Sequence, residues 1–302
     1  MKLDFDNRDD HYCFVDSGEL RALVTRLGLH DKENFHGSWY GNCDAATAIK
    51  RLTTGDESLV AASDELLSKL ENALPHTKKF QWQRVIAGQI VDVPEMLRGE
   101  PACMRRRVRA RRNDAPVTIF MDLTSSAMIS ARDLLARGTA ILALARALVE
   151  HRAVELWGGI ALGEASGHRN SARAWASTVA WRIDTAPLDL ARAAFLLAHP
   201  AVARGIGYGL GPRCAQRTSW SGSWPFGDHT LHVASQSARL RNALGASELL
   251  VVPPIYGLDP LVREPLAWIT RELHRLTDPD SALAVGSEDW NQQRDNAKGA
   301  RV

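Results

Sequence analysis

Close pairs of cysteines are missing from this sequence. Cys13, Cys43, Cys103 and Cys214 lie far apart with no Cys-x-x-Cys spacing, which argues against a zinc ribbon and against a compact disulfide framework. Long apolar runs are missing as well: none reaches the ~18 residues that a membrane-spanning helix requires. The opening "MKLDFDNRDDHY" is acidic and polar, unlike a basic-then-apolar secretory leader. A soluble, cytoplasmic protein with no membrane partner is the expectation. Strong net charge is lacking too, because 37 Lys and Arg face 35 Asp and Glu among 302 residues, for a formal +2. Bulk charge of that size suggests no general coating of nucleic acid. Neither an HExxH helix nor a GxSxG elbow occurs, so the commonest zinc-protease and serine-hydrolase signatures are absent. There is no internal repeat, and a binding role is favoured over an enzymatic one.

What is present is a regular alternation of amphipathic segments. Residues 17–28 carry Leu20, Leu23, Val24 and Leu27 at helical spacing, with Ser17 as an N-cap candidate. Segments 43–53 and 57–73 read as two further helices split by the turn "TTGD". Residues 85–101 read as an extended run, a turn at Pro94 and a helical turn closed by Gly99. Six arginines then fall within residues 105–112, namely Arg105, Arg106, Arg107, Arg109, Arg111 and Arg112, followed by Asn-Asp-Ala-Pro. This composition shift marks a boundary: residues 1–113 form a helical region ending in an Arg-rich linker, 114–277 a second domain, and 278–302 a polar tail.

In the second domain, "VTIFM" (117–121) has the near-continuous apolar character of a strand covered on both faces. A helix is expected from Ser126 to about Glu150, strands at 153–162 and 171–183 (the latter at an edge), a helix at 186–199, a glycine-rich irregular stretch at 205–228, a helix at 231–244, a strand at 248–255 and a last helix at 261–276. Strands alternating with long helices imply an α/β fold, Rossmann-like, with a mostly parallel sheet and helices on both faces, preceded by the helical N-terminal region. Ligands of such sheets sit at the carboxyl ends of the strands.

Asp122 ends the first of these strands, and Thr124 and Ser126 follow at steps of two in "FMDLTSSA". In extended chain, alternate side chains point the same way, so one carboxylate and two hydroxyls can converge. Hard oxygen donors of this kind suit Mg2+, which takes near-octahedral oxygen ligation at about 2.0–2.1 Å and retains waters. The same cluster is also a good helix N-cap. "FMDLTSSA", after a buried strand and before a long helix, resembles the Asp-x-Ser-x-Ser motif of von Willebrand factor A domains, with Thr124 in the place of the first Ser. That resemblance implies a metal-ion-dependent adhesion site holding Mg2+ (or Mn2+ or Ca2+). It also implies two further ligands, carried over to Thr185 in "IDTAPLD" and to Asp259, the acid nearest after the fourth strand. The chain further resembles a class of phage and prophage proteins containing "VDVPEMLRGEPACM" and "PLDLARAAFLLAHPA". Intracellular A domains of this sort imply an adaptor working beside a AAA+ ATPase of the MoxR type, with a partner acid filling an open position on the metal. For a phage-encoded chain the compartment would be the bacterial host cytoplasm.

Other features carry weaker expectations. The arginine run offers an alternative role in phosphate contact with nucleic acid, against a reading in which acids such as Glu95 and Glu100 meet its charge. His229 and His232 in "DHTLH" would share a helical face but have no further ligand at a telling distance, and a metal hydrolase built on them or on Asp122 lacks an acid–base partner. Trp220, Trp224 and Phe226 on a Gly/Ser-rich stretch suit either a binding hot spot or a cover for the core. "GIGYGLG" is not read as a nucleotide loop, since no strand precedes it.

Overall fold

A computed structural model describes residues 2–4, 10–28, 37–73, 80–109, 115–126, 128–164, 175–214, 238, 240–255 and 257–277. In chain order the first elements are β1 (Lys2–Asp4), β2 (Asp10–Asp16), α1 (Ser17–Arg26), α2 (Ala45–Thr54) and α3 (Val60–Ala73). A small unit follows: β3 (Phe80–Val85), β4 (Ile90–Val91), α4 (Val93–Leu97) and β5 (Met104–Arg109). The remainder comprises β6 (Val117–Asp122), α5 (Ala131–Val149), β7 (Val154–Glu164), β8 (Trp175–Ile183), α6 (Leu190–Ala198), a π-helical turn (Ala201–Gly207), α7 (Tyr208–Cys214) and β9 (Glu248–Val252). A helix ending at residue 244 precedes β9, and the short helix Pro260–Arg263 and the C-terminal helix Pro265–Thr277 follow it.

The main sheet has six strands in the order β1-β2-β8-β7-β6-β9. β6 runs parallel to both β7 and β9, β8 is antiparallel to β7, and β2 is parallel to β8. The expected α/β architecture is present, with β6 in its interior. Two details differ from the sequence expectation. The strand at 175–183 is not an edge, because β2 pairs along it. The N-terminal region is accordingly helical but also contributes two strands to the sheet.

Strand alternation divides the sheet into two faces. Val117, Ile119 and Met121 join Leu156, Ile160, Val179 and Trp181 in the larger core, beneath α1, α2, α5 and α6. On the other face Phe120, Phe14 and Ala180 meet Leu240, with Trp157, Ala243 and Leu244 beside them. Phe14 and Trp157 pack edge to face with centroids 5.6 Å apart, a favoured aromatic geometry. Helices therefore cover both faces. Where α5 crosses α6, Gly138 is needed: a Cβ there would lie 2.3 Å from the Ala198 Cα.

α5 starts later than the sequence suggested. Its N-cap is Ser130, whose Oγ accepts from the Asp133 amide at 3.1 Å. Ser126 is used one turn earlier, where its Oγ accepts from the Met128 amide at 3.2 Å. The arginine run also differs from expectation. Residues 104–109 are the central strand of a separate antiparallel sheet, ordered β3-β5-β4, rather than a linker. Of the glycine-rich stretch, residues 205–214 are helical. Trp220, Trp224, Phe226, Asp228, His229, His232 and the tail from 278 lie outside the described residues, as do Arg111 and Arg112.

Candidate functional site

Asp122 sits at the carboxyl end of β6, opposite Gly159 of β7, in the interior of the sheet. Its Oδ1 accepts from the Thr124 amide at 2.8 Å. The Thr124 hydroxyl donates to the Ala161 carbonyl at 3.1 Å and accepts from the Ala161 amide at 3.2 Å, which ties the loop to the end of β7. Burial pushes the Asp122 carboxyl above the ordinary carboxylate range; hydrogen bonds from Thr124, the charge of Arg137 and the Ala161 amide oppose that rise.

The loop after Asp122 is pinned from three directions. From the chain just after β9, the Ile255 amide donates to the Thr124 carbonyl at 3.0 Å, and the Ser126 amide donates to the Ile255 carbonyl at 2.9 Å. From α7, the Tyr208 hydroxyl donates to the Ser125 carbonyl at 2.8 Å and accepts from the Ser125 amide at 3.1 Å. From the π-helical turn, buried Arg204 donates to the Ile129 carbonyl and, at 2.8 Å, to the Trp39 carbonyl, with its guanidinium 4.5 Å above the Trp39 ring. π-Helical turns are frequent at functional sites; this one delivers Arg204 to the loop and leads directly into α7, which delivers Tyr208.

Arg137 is the main group that sequence reasoning missed. It is fully buried on α5. Its Nη1 donates to the Asp122 carbonyl at 2.9 Å, and its Nε lies 2.9 Å from Asp259 Oδ2. The other Asp259 oxygen accepts from the Leu261 amide at 2.9 Å and so caps the short helix Pro260–Arg263. A signal for Arg137 existed: it falls at i+3 from Leu134 and i−4 from Ile141, on the buried stripe of α5. Tyr208 had no comparable signal, since it sits in a stretch that reads as irregular, and Arg204 falls between that stretch and the helix expected at 186–199.

The expected metal ligands are only partly brought together. Asp122, Thr124, Ser126 and Asp259 are at one end of the sheet. Thr185 is not: its hydroxyl donates to the Val154 carbonyl at 2.7 Å, and Val154 pairs with Val117, the first residue of β6. The antiparallel course of β8 carries the chain to the opposite sheet edge, five strand residues or roughly 16 Å from Asp122 at about 3.3 Å per residue. Thr185 is corrected accordingly and is not a ligand partner of Asp122. A hydrated Mg2+, Mn2+ or Ca2+ needs oxygens that are open to it and to water. Here the Thr124 hydroxyl both donates and accepts within the protein, the Asp122 carboxyl is buried, and Asp259 faces a guanidinium. This donor set does not fit such an ion. Among the described residues, no three His, Cys, Asp or Glu side chains gather as a metal-binding group.

Each of two loops beside this buried network exposes a large apolar side chain. Met128, on the Asp122 loop, is 90% exposed, and Leu258, on the loop carrying Asp259, is 77% exposed. The two loops are joined by the backbone hydrogen bonds at Ile255. Large apolar side chains held out on cross-linked loops suit the anchor positions of an interface.

The arginine strand forms a different arrangement. Arg105 donates through Nε and Nη2 to Asp92 Oδ2 at 2.8 and 2.6 Å. Arg84 Nη2 and Arg98 Nη1 reach Glu95 Oε1 at 3.0 and 2.9 Å. Arg105 thus has an internal partner, while Arg106 is exposed. Arg107 and Arg109 pair in register with Trp82 and Phe80; their side chains are outside the described set.

In comparison with protein families, residues 7–231 match the model of a domain of unknown function, DUF7192. The matched span runs from β2 past α7 and stops before β9 and Asp259. No curated protein and no solved structure matches the chain. Among the described residues, no helix is long and apolar enough to cross a membrane.

Proposed function

Since the chain belongs to the DUF7192 family, whose description assigns no activity, we propose a function from geometry: a von Willebrand factor A-like adaptor that binds a protein partner at the carboxyl edge of its main sheet. The observation that carries this reading is the pair Met128 and Leu258, strongly exposed on two loops that backbone hydrogen bonds join to one another. Rigid loops lower the ordering cost of association. Support from the resemblance is twofold: a motif-bearing strand inside a mostly parallel sheet, and a partner-binding edge at its carboxyl end.

In this proposal no divalent ion mediates the contact. The buried positive charge at the site belongs to Arg137, which lies between the Asp122 carbonyl and the Asp259 carboxylate. The partner therefore needs apolar surface more than an acidic ligand residue. The resemblance points to a AAA+ ATPase of the MoxR type, in a phage setting. Nucleic-acid contact through residues 105–112 is less well supported, because Arg105 is already engaged by Asp92.

Two measurements test the reading. In nucleotide-free buffer, a candidate ATPase should bind the wild-type chain and lose at least tenfold in affinity to a Met128→Asp/Leu258→Asp variant. Separately, millimolar Mg2+ should leave the thermal midpoint of the wild type unchanged, whereas an ion bound by the native state would raise it. Binding that survives both substitutions removes the adaptor site; a Mg2+-dependent midpoint that Asp122→Ala abolishes reinstates a metal centre.

A further inference from the structure

The unit from Phe80 to Arg109 is built inside out. On α4, Glu95 is 7% exposed, turned inward to Arg84 and Arg98, while Leu97 is 78% exposed. Asp92, just before the helix, is likewise buried against Arg105. Ile86, Ile90, Val93, Met96 and Leu97 all face outward. Among the described residues, none of these five belongs to a buried apolar cluster. Large aliphatic side chains gathered on one small unit, with carboxylates inside, mark a surface meant to be covered.

Charge indicates what covers it. Residues 80–109 contain six arginines and three acids, for +3, while the whole chain carries +2 and the remainder therefore −1. Two of the three acids, Asp92 and Glu95, are turned inward, and Arg106 is exposed. A unit of net positive charge that exposes large apolar residues complements a ligand that is both acidic and apolar. A nucleic acid would supply the negative charge but nothing to cover Leu97 and Met96. We infer that the unit 80–109 is a second docking surface, taking an acidic polypeptide segment with large apolar side chains from another protein. This surface is separate from the edge at Asp122, and neither proposal depends on the other.

The test uses the full chain and a randomised twelve-residue peptide library selected against it. Enriched peptides should combine Asp or Glu with Leu, Ile, Met or Phe. A Met96→Ser/Leu97→Ser variant should weaken the best of them at least tenfold, and Arg106→Glu severalfold. Both variants alter exposed positions, and an unchanged thermal midpoint shows that the fold is intact. The inference is overturned if no peptide is enriched, or if enriched peptides bind the double variant equally well. It is also overturned if oligo-dT binds with steep salt dependence untouched by the Met96/Leu97 substitutions, which would assign the surface to nucleic acid. A dimer of the wild type that dissociates in the double variant would assign it to a second copy instead, with the same consequence.

Discussion

In the six-stranded sheet, Val117, Ile119 and Met121 are sealed beneath helices and the ionic pair Arg137–Asp259 sits at one end. In the three-stranded sheet the positions are exchanged: Asp92 and Glu95 are covered, and Ile90, Met96 and Leu97 are open. The same chain thus contains one region stabilised by burying apolar area and one whose contacts among the described side chains include guanidinium–carboxylate pairs. Apolar burial contributes about 25 cal/mol per Å², whereas exposed ion pairs contribute about 0–1 kcal/mol each. The body is expected to hold its shape by itself, and the small unit to depend more on whatever binds it.

The largest expected effect breaks the ionic end of the body. Arg137→Ala leaves the Asp259 carboxylate and the Asp122 carbonyl without their buried cation, and should cost about 3–5 kcal/mol in urea unfolding, as removal of one partner of a buried pair does. Arg98→Ala, which removes an exposed partner of Glu95, should cost less than about 1 kcal/mol. Equal losses would mean that the two regions do not differ in the way described.

Acid should separate the regions next. Burial lowers the His199 pKa from 6.5 to about 4, with the charges of Asp56 and Arg51 as smaller influences, and its Nδ1 accepts from the Ala201 amide at 3.1 Å. A histidine that stays neutral when folded but protonates when unfolded destabilises the native state as pH falls from about 6.5 toward 4, by up to roughly 3 kcal/mol. The hydrogen bond from Arg105 holds the Asp92 carboxyl below the ordinary carboxylate range, so its contribution persists through that window and is lost only at lower pH. Hydrogen exchange across pH 7 to 4.5 should therefore show the α6 region loosening before β5. His199→Asn, which retains an acceptor for Ala201, should flatten the dependence in the body.

The smallest effect sharpens the contrast most. Leu144→Ala in α5 removes a fully buried side chain and should cost about 2–5 kcal/mol. Leu97→Ala should change stability by no more than about 0.5 kcal/mol. A large loss at Leu97 would show that this side chain is part of a core after all.

Much of the body was legible because its strands and helices follow simple periodicities. "VTIFM" had to be covered on both faces, and Leu134, Ile141 and Leu148 had to face inward. What escaped sequence reasoning depended on long-range pairing. Thr185 follows a strand whose direction, antiparallel to β7, cannot be read from its own residues, and that direction alone moves it to the wrong edge. The arginine strand read as a linker because its pairing partners, Phe80–Val85, lie across a turn and a short helix. Arg137 was legible in principle, as a charge on an apolar stripe, but not its two partners. Met128 and Leu258 could be seen only once the loops had a place.

The pairing of β2 with β8 has a consequence for how the molecule is assembled. Asp10 lies beside Ala176, 166 positions later in the chain, so β2 cannot make these hydrogen bonds until β8 has been synthesised. Such distant closure is slow, and until it occurs β8 presents an open row of amides and carbonyls that another chain can capture. A fragment cut at residue 114, where the arginine run invites a boundary, would keep that row open permanently and should self-associate rather than remain monomeric.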